Sequence, residues 1–398
     1  MHRRITSQNG VHGKMFPLFL LVLFGMALTP LSASGDAPYE EADACTFVEH
    51  LQFDGTLANA SVQWQVDLGP RIPGSDVSAT FRSSIDENLT ALGYEVSQQT
   101  HERYDMNLTN VFARWTPNGT SSGQLVLSAH YDSRNIADQD SNETNRSLPV
   151  PGANDAASGV AVLLELARHI PSMNLNYDVV LFFNDAEDQD QRYTLGAEAW
   201  AENLTSEEID STHAFVLLDM VGDADLQLHN VLPGNETLKS RVVELATSLG
   251  MVNGTSGCDG TTGRDVVQYD TLVGVLDDHV HAHELGIPSI DLMDTSYGEP
   301  KPYTFGSLWH TMEDTPDKVS AESLQAVGQL VELGLRTNAF VDVGSNESET
   351  NPPEPSDAEP SSNDDVETTG SVRLASMAAV GLFAIIGLII TVEWKGKP

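Results

Sequence analysis

Gln124-Leu-Val-Leu-Ser-Ala129 runs directly into His130-Tyr-Asp-Ser133, and Asp178-Val-Val-Leu-Phe-Phe183 runs into Asn184-Asp-Ala-Glu-Asp188. Each is a short apolar run, too short for a typical helix, that stops abruptly in acid-rich residues. That pattern predicts a strand buried on both faces. It recurs at His213-Ala-Phe-Val-Leu-Leu218, which ends at Asp219, and at Val273-Gly-Val-Leu276, which ends at Asp277-Asp278-His279. Ile287 to Met293 is a fifth such strand, and Glu95–Thr100 and Thr109–Trp115 precede the series. Helical spacing covers Ser61 to Gly93, where Phe81, Ile85, Leu89 and Leu92 fall on one face. It covers Asp155 to about His169, with Val160, Leu163, Leu164 and Ala167 together, and a closing amphipathic segment from Ala321 to Val341.

Alternating buried strands and helices predict an α/β fold, a single domain with a central mixed, mostly parallel twisted sheet flanked by helices on both faces. In such sheets ligands collect at the carboxyl ends of the strands. His130, Asp132, Asp188, Asp219 and Asp278 all fall there.

The chain of 398 residues carries 20 Lys+Arg against 58 Asp+Glu, a formal charge of −38. That excludes recognition of nucleic acid through basic patches. Two cysteines exclude a disulfide-rich scaffold and a cysteine-based zinc finger, while leaving Cys45 and Cys258 free to pair in an oxidising compartment. Residues 1–34 read as a signal peptide: a basic flank, an apolar stretch from Met15 to Leu28, and small residues at Ser32-Ala33-Ser34. Residues 344–372 are rich in Pro, Ser, Asp and Glu without apolar periodicity and predict a disordered acidic stalk. Residues 373–393, apolar and uncharged from Leu374 to Val392, predict a transmembrane helix, with 394–398 as a cytoplasmic tail because Lys395 and Lys397 follow it. The expected catalytic domain, residues 35–343, then lies outside the cytoplasm on a single-pass anchor in the cell membrane. Asn-x-Ser/Thr sequons spread from Asn59 to Asn346 fit that side. Nothing in the sequence fixes an oligomeric state.

Histidine and carboxylates at strand ends, without thiolate, suit a catalytic metal, zinc above others. Asp155 follows the turn Pro151-Gly152-Ala153-Asn154, which would hold a carboxylate rigidly at a helix start. Glu187 and Asp188 are neighbours and point to different sides, so one suits a metal and the other a proton. Asp132 is placed to orient His130, and His310 in Trp309-His310-Thr311 supplies a second imidazole. His279, His281 and His283 read as structural, and Trp64 and Trp200 as core.

Taken together, Gly69-Pro-Arg-Ile-Pro-Gly-Ser75, His130-Tyr-Asp-Ser133, Pro151-Gly-Ala-Asn-Asp-Ala-Ala-Ser-Gly159, Asn184-Asp-Ala-Glu-Asp188, Leu218-Asp219-Met-Val-Gly222 and Trp309-His-Thr-Met-Glu-Asp-Thr315 resemble metallopeptidase family 28. That family comprises zinc aminopeptidases and the related glutaminyl-peptide cyclotransferases. The resemblance spans about Leu57 to Val341 and implies a zinc-exopeptidase fold acting on peptides with a free N-terminus. For an aminopeptidase it implies two zinc ions. His130 and Asp219 would bind one, Asp188 and His310 the other, with Asp155 bridging and Glu187 as general base. For a cyclotransferase it implies one zinc on Asp155, Asp188 and His310. Asp277-Asp278-His279 and Trp309 look cyclase-like, which makes Asp278 and Trp309 supporting residues. Three positions depart from the family: Asp188 replaces the commoner Glu, Asp291 replaces the cyclases' His, and their indole after the acidic pair has no clear match near Asp190 to Tyr193.

Overall fold

A computed structural model describes residues 43–344. The expected leader (1–34), most of the stalk, the span (373–393) and the tail (394–398) lie outside these residues. Among the described residues no helix is long and apolar enough to cross a membrane.

The chain opens with helices α1 (Cys45–Val48), α2 (Gly55–Leu68) and α3 (Asp76–Ala91), then strands β1 (Glu95–Arg103), β2 (Met106–Trp115) and β3 (Gln124–His130). Helix α4 (Ala157–Leu166) precedes β4 (Asp178–Asn184) and the two-residue strands β5 (Asp188–Gln189) and β6 (Arg192–Tyr193). Next come α5 (Leu195–Asn203), α6 (Ser206–Ser211), β7 (Thr212–Asp219), β8 (Leu228–Leu232) and α7 (Glu236–Ser248). The described chain closes with β9 (Val267–Gly274), α8 (His279–Glu284), β10 (Ser289–Met293) and α9 (Ala321–Arg336).

The main sheet has six strands in the order β1-β2-β4-β3-β7-β10. β4, β3, β7 and β10 run parallel, and the β1–β2 hairpin adds the antiparallel edge. The mixed, mostly parallel sheet expected from the sequence is therefore present. Strand alternation divides its side chains between two cores. Leu125, Leu127, Val179, Leu181, Val216 and Leu218 join the larger one with α2, α4 and α9. Val126, Val180, Phe182, Phe215 and Leu217 face the other way, towards Trp200 of α5 and Ala282 of α8. Trp200 is thus a core residue, as expected, and Trp64 packs against the larger core. Fully burying each such side chain contributes about 1.5–3 kcal/mol, and helices cover both faces.

Three expected elements differ. Ser61 to Gly93 is two helices, because Gly69-Pro70-Arg71-Ile72-Pro73-Gly74 has no free N–H at either Pro, and Gly69 and Gly74 take positive φ of 102° and 75°. The segment around Val273 is not in the main sheet: β9 pairs in parallel with β8 alone, and its apolar residues pack on Met220, Met293 and Tyr297. The closing helix stops at Arg336 instead of Val341, and Asn338 and Asp342 beyond it take positive φ.

The N-terminal segment is fastened to α9. Buried Glu332 accepts from the N–H groups of Gln52 and Phe53, and Gln325 accepts from Gly55 N and donates to Phe53 O. Cys45 and Cys258 form a disulfide, Cα–Cα 5.4 Å. Among the described residues one sequon is not on the surface: Asn235 is 6% exposed and caps α7, its side chain accepting from Leu238 N.

Candidate active site

The carboxyl ends of β3, β4 and β7 deliver His130, Glu187-Asp188 and Asp219 to one edge of the sheet, and loops bring Asp155 and His310 to meet them. Two donor groups result. His130, Asp155 and Asp219 form one, and Asp155, Asp188 and His310 the other. Asp155 belongs to both: its Oδ1 lies 3.2 Å from His130 Nε2 and its Oδ2 lies 3.6 Å from His310 Nε2. Asp219 Oδ1 is 3.2 Å from His130 Nε2, and Asp188 Oδ2 is 2.8 Å from His310 Nε2.

The loop carrying Asp155 is held from both sides. Arg71, fully buried, donates to the carbonyls of Tyr131, Pro151 and Gly152. Asp314 accepts from Asn154 N at 2.7 Å and Asp155 N at 3.2 Å, and Tyr297 Oη donates to it at 2.8 Å. Gly152 sits inside this clamp at φ 71°, where an added Cβ would come within 2.7 Å of Ser133 Oγ and 2.8 Å of Arg71 Nη2. Gly152→Ala is therefore expected to cost about 1–3 kcal/mol and to misplace Asp155. The urea midpoint and the metal content of the variant both report on this, and wild-type values for both would contradict it.

Asp132 does more than orient His130, whose Nδ1 lies 3.4 Å from its Oδ1. It also accepts from Glu187 N, Asp188 N and Gln189 Nε2, so it fixes the strand end carrying both acids. Ala186 before Glu187, Met220 after Asp219, and His310 itself take positive φ of 59°, 47° and 56°. Backbone in this region costs non-glycine residues of order 1–3 kcal/mol, and such strain clusters at functional sites.

Arg134 was not among the residues expected from the sequence. It is 3% exposed and its guanidinium contacts Asp188 Oδ1 and Asp138 Oδ1. Asp138 in turn lies 3.5 Å from His310 Nδ1. Asp188, one methylene shorter than Glu, thus has one oxygen held by Arg134 and the other facing His310. In so acidic a chain an Arg directly after the His130–Ser133 motif was the available signal.

Burial pushes the Glu187 carboxyl well above the ordinary carboxylate range, and adjacent Asp188 adds to this while His130 opposes it. Burial also raises Asp219, against the pull of His130. For Asp188 burial acts upward, but His310 and Arg134 outweigh it and hold the group low. Burial disfavours a charged His130, yet its bonds to Asp132, Asp155 and Asp219 raise it well above the usual imidazole value.

A cavity of about 60 Å³ opens onto these groups. Tyr193, Phe305, Trp309, Met293 and Val275 form its apolar side, and Asp277 reaches its wall. Trp309 stacks on the His310 ring, centroids 3.4 Å apart, and meets Phe305 edge-on at 5.1 Å. Of the adjacent acids it is Asp277 that faces the cavity; Asp278 is fully buried behind it and accepts from Asn184 Nδ2. Tyr193, just beyond the acidic pair, contributes a phenol ring to this wall.

The donors fit metal. The 2.8 Å approach of His310 Nε2 to Asp188 Oδ2 lacks hydrogen-bond geometry, and that oxygen is buried without a hydrogen-bond partner. Two donors aimed past each other at a common point are what a bound cation requires, and their imidazole and carboxylate chemistry suits zinc.

The sequence profile of Peptidase family M28 matches residues 110–333, more than half of the chain. The chain belongs to peptidase family M28. Aminopeptidase YwaD of Bacillus subtilis is 28% identical over 272 residues, 67% of this chain and 53% of that protein. Endoplasmic reticulum metallopeptidase 1 of Rattus norvegicus is 25% identical over 325 residues, 75% of this chain and 32% of its own length. The chain thus spans about half or less of these curated relatives. Among solved M28-like structures, Porphyromonas gingivalis glutaminyl cyclase is 30% identical, with a TM-score of 0.61, covering 72% of this chain and 98% of that one. A leucine aminopeptidase precursor from Bacteroides thetaiotaomicron is 28% identical, with a TM-score of 0.62 and coverage of 72% and 98%. The M28 assignment makes the chain a member of a zinc-dependent enzyme family whose relatives divide between peptide hydrolysis and glutaminyl cyclisation.

Proposed function

We propose that this M28 enzyme is an aminopeptidase using two zinc ions. The observation that carries the reading is Asp155, whose two oxygens face two separate donor groups. His130, Asp155 and Asp219 would hold one ion, and Asp155, Asp188 and His310 the other. Two such ions supply Lewis-acid polarisation of a carbonyl and a lowered pKa for water. Glu187, its side chain 12% exposed and open to the cavity, takes the proton from the attacking water and returns it to the leaving amine. Arg134 and Asp138 keep Asp188 and His310 in place, and Asp132 keeps His130 and Glu187 in place. The aromatic wall of Tyr193, Phe305 and Trp309 shields the reacting centre and receives the first side chain of the peptide. The leader-like composition of residues 1–34 and the apolar segment 373–393 are what support placing this domain outside the cytoplasm, tethered to the cell membrane.

A second reading, glutaminyl-peptide cyclotransferase with one zinc on Asp155, Asp188 and His310, is favoured by Asp277 at the cavity wall beside Trp309. The metal count separates the two. Asp219→Ala removes a donor from the first group only, so the aminopeptidase reading expects one zinc fewer per chain and loss of Leu-peptide hydrolysis. An unchanged zinc content would drop the two-metal reading in favour of the single-zinc one.

A further inference from the structure

Behind the active site lies a third group of metal-type donors, Asp277, His279 and Asp291. They are 3%, 0% and 1% exposed. Asp291 lies on β10 between Ile290 and Leu292, which both face the larger core. By strand alternation it points to the opposite face, where α8 carries His279. An aliphatic side chain would satisfy that interior position without cost, whereas a buried carboxylate needs partners.

No donor hydrogen-bonds it with good geometry, and besides His279 the group that faces it within hydrogen-bonding reach is another acid, Asp277. Both Asp291 oxygens and His279 Nδ1 are buried and unpartnered. The other imidazole nitrogen, Nε2, lies 3.1 Å from the Pro233 carbonyl, an acceptor, and so carries the hydrogen. Nδ1 then presents a lone pair, and it faces Asp291 Oδ2 at 3.7 Å. Burial keeps this imidazole neutral, its pKa lowered to about 3. A lone pair and a carboxylate oxygen opposed in the interior repel each other unless something positive lies between them. Asp277 brings a further carboxylate oxygen to the same point, all donor atoms falling within 4.8 Å of one another. The two buried guanidiniums of the active site are committed elsewhere, Arg134 to Asp188 and Asp138 and Arg71 to the carbonyls of Tyr131, Pro151 and Gly152.

We infer that Asp277, His279 and Asp291 hold a third divalent cation, separate from the two donor groups that share Asp155. One imidazole and two carboxylates suit zinc rather than calcium or magnesium, which take oxygen ligands. The ion would neutralise the acids behind Asp219 and fix Asp277 at the cavity wall. The inference does not depend on which peptide reaction the enzyme performs.

The test is the metal content of the full-length chain after loading with zinc and desalting, for wild type and Asp291→Asn. The amide of Asn is isosteric and can donate to Asp277 or to His279 Nδ1, so the variant should fold. The expected result is one zinc fewer per chain in Asp291→Asn and a zinc-dependent rise in Tm that is smaller than in wild type. Equal zinc content, with Asp291→Asn as stable as wild type or more so, would show that a shared proton occupies the position and would overturn the inference. If the variant does not fold, zinc-edge anomalous diffraction from wild-type crystals decides. A peak between His279 Nδ1 and Asp291 supports the site, and its absence beside zinc peaks around Asp155 overturns it.

Discussion

Glu187→Gln is expected to lower kcat by about 10²- to 10⁴-fold, the range for loss of a general base, or about 3–5 kcal/mol in the barrier. The amide keeps the size and place of the carboxylate but cannot take a proton. Glu187 belongs to neither of the donor groups around Asp155, so the zinc content should equal that of wild type. The position is suited to the task. Its backbone N–H is fixed by Asp132, its side chain reaches the cavity, and burial together with Asp188 raises its proton affinity. That rise brings a carboxyl closer to the working pH of a base that must also act as an acid. Steady-state kinetics and metal analysis on the same preparation check the prediction. Near-normal turnover would remove Glu187 from the role.

Asp155→Ala is expected to have the larger effect, because it takes a donor from both groups at once. Asp219→Ala should cost one ion, but Asp155→Ala should cost both active-site ions and bring turnover to background. His130 and Asp219 would remain 3.2 Å apart, as would His310 and Asp188 at 2.8 Å, yet each pair alone is a two-donor site, short of the three protein ligands usual for catalytic zinc. Metal analysis again gives the readout, and loss of a single ion would show that the carboxylate is not shared.

How far the site could be read from sequence follows from what each residue depends on. His130, Asp188 and Asp219 were legible because they end apolar strands, and strand ends in a parallel sheet converge by topology alone. Asp155 was legible from the turn before it, and His310 as a further imidazole, but its pairing with Asp188 came only through the resemblance, since nothing local announces a loop that returns from so far along the chain. Arg134 was missed because its importance is a matter of burial and of the shorter arm of Asp188. Asp278 was preferred to Asp277 because two adjacent acids are equivalent in sequence, and only the backbone entering α8 decides which one faces the cavity. Tyr193 was passed over because an indole was sought, and its part in lining the cavity depends on how the short β5–β6 hairpin folds back. The β9 segment looked like its neighbours in the sheet because apolar runs report burial and not the partner strand. The break at Gly69 to Gly74 was plainly written in its prolines and glycines, but periodicity on either side concealed it.

The central claim is that Asp155 joins two donor groups into one hydrolytic centre that removes N-terminal residues. The most direct measurement is a mass spectrum of products from the zinc-loaded full-length chain with two peptides, one beginning with Leu and one with Gln. The account predicts a Leu-peptide shortened by its first residue, with Glu187→Gln inactive in parallel. A Leu-peptide left intact, with a Gln-peptide that loses only the mass of ammonia, would contradict it and establish the cyclotransferase.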